Sequence, residues 1–304
     1  MGSIVDRFVS KQLVTPPPFL KNNIQYEVMM GSVAYGVTSN NSDIDIYGFC
    51  IPSKHMIFPH LAGEIVDFGT QQNRFEQWQQ HHIKNTSNSK EYDFTIYSII
   101  KYFQLCMQNN PNMIDSLFVP RRCIVHSTRV GEHVRENRKL FLHKGSWHKF
   151  KGYAYRQIHK MKIKSPDENS SRYEMVKKYG YDIKFAYHVV RLLNEAEQIL
   201  TEGDLDLQRN REQLKSIRNG EWTQEQIINY FENKEVSLED LYTSSKLQHS
   251  PDENIIKGLL LECLEMHYGS LHNAITTNVP IEKIINDLSD YIQNIKKQLI
   301  NERN

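Results

Sequence analysis

Asp43 and Asp45 occupy alternate positions of a short run, Ser42-Asp43-Ile44-Asp45-Ile46, twelve residues after a Gly31-Ser32 pair. That pair closes another apolar run, Tyr26-Glu27-Val28-Met29-Met30. Side chains alternate across a strand, so Asp43 and Asp45 share one face while Ile44 and Ile46 enter the core. Two adjacent carboxylates raise each other's pKa unless a cation lies between them. Mg²⁺ suits such a pair, because it takes one or two carboxylates and completes its octahedron with phosphate oxygens. At Gly31-Ser32, where a strand turns towards a short helix, backbone N–H groups and a serine hydroxyl favour a phosphate. A metal beside a triphosphate is the chemistry of nucleotidyl transfer.

A second constellation lies far downstream. Ile183, Ala186, Tyr187, Val190 and Leu193 mark the buried stripe of a helix running from Asp182 to Leu200. Lys184, His188 and Arg191 fall at i, i+4 and i+7 on a neighbouring face. Three such groups in a row can grip a triphosphate tail, Arg191 by a two-pronged contact and Lys184 as a point charge. The plainer reading is an ordinary solvated face. His81-His82 and the other histidines show no metal-ligand spacing and read as structural or exposed.

Gly31-Ser32-Val33-Ala34-Tyr35-Gly36, followed by Ser42-Asp43-Ile44-Asp45-Ile46-Tyr47-Gly48, resembles the signature of the DNA polymerase β-type nucleotidyltransferase superfamily. The Ala34-Tyr35-Gly36 spelling resembles one branch of it, as do Asn110-Pro111-Asn112, Phe150-Lys151-Gly152-Tyr153-Ala154 and residues 184–193. That branch comprises nucleotidyltransferases linked with RNA-ligase repair operons of bacteria and large phages. The resemblance runs from about residue 24 to about residue 220.

The resemblance implies an α+β fold, a small mixed sheet with flanking helices, followed by a helical C-terminal region. It implies a nucleoside triphosphate substrate, Mg²⁺ or Mn²⁺ as cofactor, and a functional link with an RNA ligase. It also implies a third acid on a later strand beside the first pair. Asp93 fills that role in Glu91-Tyr92-Asp93-Phe94-Thr95-Ile96-Tyr97, opposite the face of Tyr92, Phe94 and Ile96; Glu91 has the same parity and competes for it. Asp43 and Asp45 then hold two ions, with Asp93 on the second, for in-line displacement at an α-phosphate and release of pyrophosphate.

These groups need strands at 24–30 and 43–51, the strand through Asp93, and a strand-like run at Cys123-Ile124-Val125. Ser98 can cap the helix that follows, with Ile99, Tyr102, Phe103 and Cys106 at helical spacing. A turn of amphipathic helix is expected around Ile4, Val5, Phe8 and Val9, broken at Pro16-Pro17-Pro18. The polar tract Gly69 to Lys90 reads as a loop over the site. Beyond about residue 140 the pattern is helical throughout, which divides the chain into a catalytic core, 1–140, and a helical region, 141–304, closing the active site. Residues 254–268 and 281–300 read as amphipathic helices that complete the bundle.

Charge is informative by region. The whole chain carries +1, yet thirteen Lys or Arg and two acids lie between Arg121 and Lys164, so the remainder is net acidic. Within this stretch Lys149, Lys151, Tyr153, Arg156 and Lys160 interleave bases with aromatics, a mixture that suits a nucleic-acid strand. A surface helix with aromatics inward and lysines merely solvated fits the same pattern equally well. The basic stretch and the family favour an RNA end as acceptor. Nucleotidylation of a protein or small molecule, AMPylation for example, uses the same metal site. A nucleotide-binding module without activity is the third reading, disfavoured by the intact aspartates. No run of eighteen apolar residues implies a membrane span, and no signal peptide is recognisable. Four scattered cysteines without Cys-x-x-Cys read as reduced thiols, so a cytoplasmic location is expected.

Overall fold

A computed structural model describes residues 2–38, 43–85, 90–163 and 171–275, with six further residues between 285 and 295. Helix α1 (Ile4–Ser10) precedes strands β1 (Ile24–Met29) and β2 (Ile44–Cys50), a turn of helix α2 (Lys54–Ile57), then β3 (Gln77–Asn85) and β4 (Lys90–Ser98). Helices α3 (Ile99–Met107) and α4 (Pro111–Phe118) lead to β5 (Ile124–Ser127) and α5 (Arg129–Glu136). The rest is helical: α6 (Ser146–Ile163), α7 (Ser171–Tyr179), α8 (Ile183–Glu202), α9 (Arg211–Arg218), α10 (Gln224–Ser244), α11 (Glu253–Tyr268) and α12 (Leu271–Ile275).

The five strands form one mixed sheet in the order β3-β4-β2-β1-β5. β2 runs parallel to β4, and the other neighbours are antiparallel. A parallel pair requires a crossover, and residues 51–89 supply it, ending in the β3–β4 pairing. The β1–β2 pair approaches so closely that any side chain at Gly48 would strike the Tyr26 carbonyl. This α+β architecture is the one expected, and strands β1, β2, β4 and β5 fall where the sequence places them.

β3 departs from the expectation, because it lies inside the polar tract read as a loop. Its apolar content is low, but Trp78 and Ile83 turn inward while Gln77, Gln79 and Lys84 stay in water. Strand formation here comes from backbone pairing along β4 at the sheet edge, a contact that composition does not reveal.

The sheet separates two cores. On one face Ile24, Ile46, Tyr92, Phe94 and Ile96 pack with α1, whose Phe8 ring meets Tyr92 and Phe94 edge-on at 4.8 and 5.1 Å. The buried Glu27 carboxylate fixes that helix by accepting from Ile4 N at 2.6 Å, Val5 N at 3.1 Å and Ser3 Oγ at 2.9 Å. Two orphan backbone N–H groups at the helix start are thereby satisfied, together with the hydroxyl of the capping Ser3. On the other face Tyr26, Val28, Phe49 and Tyr97 join the larger core of α3, α4, α6, α8 and α10. α8 is the axis of that core and is buried along most of its length.

The expected closing helix over 281–300 lies mostly outside the described residues. Those described there are helical, but Ile285, Leu288, Tyr291 and Ile292 are exposed rather than packed into the bundle. The four cysteines are buried and unpaired. No helix among the described residues is long and apolar enough to cross a membrane.

Candidate active site

The site begins with strand register. Parallel pairing sets Asp45 directly beside Asp93, between the pairs Ile44–Tyr92 and Ile46–Phe94. Alternation then puts Asp43 and Glu91, each two residues earlier, on the same face. Further along this face Tyr47, Phe49 and Tyr97 continue into the larger core, so the carboxylates lie where helical cover gives out. Asp43 is exposed, and Asp45 and Asp93 are half-buried.

Gly31 closes one side. Its φ of +64° is a left-handed conformation natural to glycine, and a Cβ there would overlap the Asp45 carboxylate. Met30 N donates to the Asp45 carbonyl at 2.8 Å, which locks the turn to β2. The Gly31-Ser32 turn is therefore pressed against Asp45, with Ser32 half-buried.

Electrostatics report what else reaches Asp45. Burial raises its carboxyl above the ordinary range and Asp93 raises it further; Lys184 lowers it, Asp43 raises it and His81 lowers it. The exposed Lys184, in the first turn of α8, thus faces the carboxylates across the gap between sheet and helices. Asp182 positions that turn by accepting from the backbone N–H groups of Lys184 at 2.9 Å and Phe185 at 3.3 Å. The Tyr47 hydroxyl is also held un-ionised by burial, then by Tyr97, Asp45, Asp93 and Tyr153. Tyr153 of α6 accordingly stands near this wall of tyrosines.

One expected group lies elsewhere. Arg191 does not face the carboxylates with Lys184: its guanidinium, 5% exposed, is inside the core. It donates to Asp115, to Glu195 at 3.0 Å and to the Tyr35 hydroxyl at 2.7 Å, and stacks over the Tyr35 ring at 4.4 Å. Two buried carboxylates already claim its charge, so direct contact with a triphosphate is not the role this position offers. His188 is half-buried, with its ring 5.0 Å from that of Tyr187.

The basic stretch on α6 divides in the same way. Trp147 and Phe150 are wholly buried, and Lys151 is bound to Glu235 at 2.8 Å and Glu239 at 2.6 Å on α10. Lys151 is thus part of the bundle rather than a free phosphate contact. Lys149, Arg156 and Lys160 are exposed; Arg156 lies over the Tyr153 ring at 4.2 Å and Lys160 is 6.0 Å from the Phe185 ring. Tyr153, Arg156 and Lys160 share one face of α6 at helical spacing.

Other groups at the site escaped the sequence reading. His82 N donates to Asp93 Oδ1 at 2.7 Å, the His82 ring bonds Glu91, and His81 Nδ1 lies 3.5 Å from Asp93 Oδ1. The Glu91 carboxylate holds the His82 imidazole protonated above its usual pH range. Nothing in the sequence signalled this, because the tract reads as a loop and its register is set by pairing with β4. Tyr47 and Tyr97 had no signal beyond their parity with the aspartates.

The donor set fits a hard divalent cation. Asp45 and Asp93 sit in register with Asp43 on the same face, and the Asp45 carboxyl is raised first by burial and then by Asp93.

No curated protein matches the sequence. Among solved structures, a nucleotidyltransferase-like protein from Exiguobacterium sibiricum 255-15 aligns over 86% of this chain and 79% of its own. It is 9% identical with a TM-score of 0.28, too low to carry an argument. The model of the RNA repair pathway DNA polymerase beta family, RlaP, matches residues 5–247, which takes in the whole sheet and the helices through α10. With a match over most of its length, the chain belongs to the RNA repair pathway DNA polymerase beta family, a branch of the polymerase β-type nucleotidyltransferases.

Proposed function

We propose that this protein transfers a nucleoside monophosphate from a nucleoside triphosphate to the hydroxyl of an RNA end. The observation that carries the reading is the register of Asp45 beside Asp93, with Asp43 on the same face and Gly31 pressed against it. Asp43, Asp45 and Asp93 would hold Mg²⁺. When bound, the cation neutralises phosphate charge and lowers the pKa of the attacking hydroxyl.

The chain's own groups do the positioning. Gly31 and Ser32 offer backbone and hydroxyl donors to the triphosphate, and Lys184 supplies a positive charge across from them. Asp93 Oδ1 is committed to His82 N, so Oδ2 is the oxygen assigned to the acceptor's proton. Tyr47, Tyr97 and Tyr153 form the wall that limits water on the core side. Tyr153, Arg156 and Lys160 offer a stacking and charged edge to a strand. The reading includes a functional link with an RNA ligase and a cytoplasmic setting, for which the family's RNA repair pathway is the support.

A second reading is nucleotidylation of a protein or small molecule. It draws on Lys151 and the buried aromatics of α6, which leave fewer groups for RNA than the sequence suggests. A labelled-nucleotide transfer assay with RNA, protein and small-molecule acceptors tests both. Label on RNA 3′ ends alone supports the first; label on protein with RNA untouched replaces it with the second.

A further inference from the structure

We propose that His82, Glu91 and Asp93 form a metal site of mixed nitrogen and oxygen donors that takes a first-row transition ion in preference to Mg²⁺. Its place beside Asp45 rests on the nucleotidyl-transfer reading, but its chemistry stands on the residues themselves. One ligand atom from each of the three lies within 4.8 Å of the others.

A β-bulge brings them together. Gln80 pairs with Phe94, yet Ile83 pairs with Tyr92, so β3 carries one residue more than β4 across this interval. His82 absorbs the extra residue with a φ of +58°, in the left-handed region. In a regular strand His81 and His82 would point to opposite faces. Bulges re-aim side chains, and here both imidazoles meet the acids of β4: His81 Nδ1 approaches Asp93 Oδ1 and His82 Nδ1 meets Glu91. Left-handed backbone at a non-glycine residue is uncommon, and the sheet keeps it where two carboxylates face an imidazole.

The donor set dictates the preference. Mg²⁺ takes oxygen ligands in a near-ideal octahedron and keeps several waters. An imidazole nitrogen adds affinity for Mn²⁺ or Zn²⁺ and little for Mg²⁺. Asp93 belongs to both donor groups, so an ion held by His82 and Glu91 lies at the edge of the catalytic carboxylates.

The test uses the full-length protein without nucleotide. Mn²⁺ binding is followed by loss of the free-ion paramagnetic resonance signal, and Mg²⁺ binding by competition. His82→Asn removes the imidazole while tolerating the left-handed backbone, so the bulge persists; Glu91→Gln removes one oxygen charge. His82→Asn should weaken Mn²⁺ at least about tenfold, the loss typical of disturbed metal surroundings, and leave Mg²⁺ within about threefold. Glu91→Gln should weaken Mn²⁺ as well. Mn²⁺ affinity unchanged in His82→Asn, or an equal loss for both ions, overturns the proposal. Mn²⁺ binding through His82 in a protein that moves no nucleotide would refute the proposed function and leave this inference standing. Transfer with Mg²⁺ and metal binding indifferent to His82 would do the reverse.

Discussion

Lys184 and Arg191 lie two turns apart on α8 and have opposite fates. Lys184 is exposed in the first turn, and its charge acts on Asp45 across the cleft. Arg191 is buried, paired with the carboxylates of Asp115 and Glu195 and donating to the Tyr35 hydroxyl. One cation has its counter-charges at an open site, the other has them inside the core. The face of α8 that carries both residues is open at Lys184, although Ile183, Phe185 and Ala186 beside it are buried, and is covered at Arg191 by Tyr35 and α4. The lesson is that a row of cations on one helix need not be one functional unit.

The sharpest way to break the contrast is at the carboxylates. Asp45→Asn should lower Mg²⁺-dependent transfer about a thousandfold or more, since the ion supplies several kcal/mol of transition-state stabilisation. Thermal stability should not fall. Full activity in Asp45→Asn and Asp43→Asn, measured under saturating triphosphate, would remove the proposed mechanism.

Arg191→Met should act in the opposite way. Removing one partner of a buried ion group costs about 3–5 kcal/mol, read in denaturant unfolding. At temperatures where the variant stays folded, the triphosphate KM should change much less than for Lys184. A variant that folds normally but has lost triphosphate binding would return Arg191 to the site.

Lys184→Ala should weaken triphosphate binding more than monophosphate binding. A lost charged contact is worth about 1.5–3 kcal/mol, or roughly ten- to a hundred-fold in affinity. Unfolding should be almost unaffected. Equal effects on both nucleotides, measured by calorimetry, would take Lys184 away from the phosphates.

The smallest effect is one of pH. Burial and Asp93 raise the folded pKa of Asp45 above its unfolded value. Its contribution to stability is therefore full below the unfolded pKa and is lost as pH rises through the folded pKa. In metal-free buffer Asp45→Asn should be somewhat more stable than the parent at neutral pH. The difference should vanish on acidification to about pH 4, near the ordinary carboxyl range. A gap that persists in acid would mean that the charge on Asp45 is not its cause.

Much of the sheet was legible because its strands alternate cleanly: Ile44 and Ile46 inward, Asp43 and Asp45 outward, and the same along Tyr92 to Ile96. β3 was not, since edge pairing rather than apolar content makes it a strand. The fate of Arg191 was also hidden. Its two buried acids come from distant helix α4 and from one turn along α8, and spacing alone cannot tell a solvated acid from a buried one. Lys151 was misleading for the same reason, since Glu235 and Glu239 reach it from α10. The bulge at His81-His82 depends on a register that only the paired strand reveals.

The parallel β2–β4 pairing bears on how the chain comes into being. Asp45 emerges from the ribosome nearly fifty residues before Asp93, and until β4 follows, β2 shows a bare edge on that side. Exposed edges invite pairing with other chains, and long-range strand pairing is slow. No nascent chain shorter than about residue 98 can carry both carboxylates in register, and Lys184 arrives later still. If the protein holds a metal as proposed, its metal affinity should therefore appear late in folding, usable as a clock for the moment when the crossover closes.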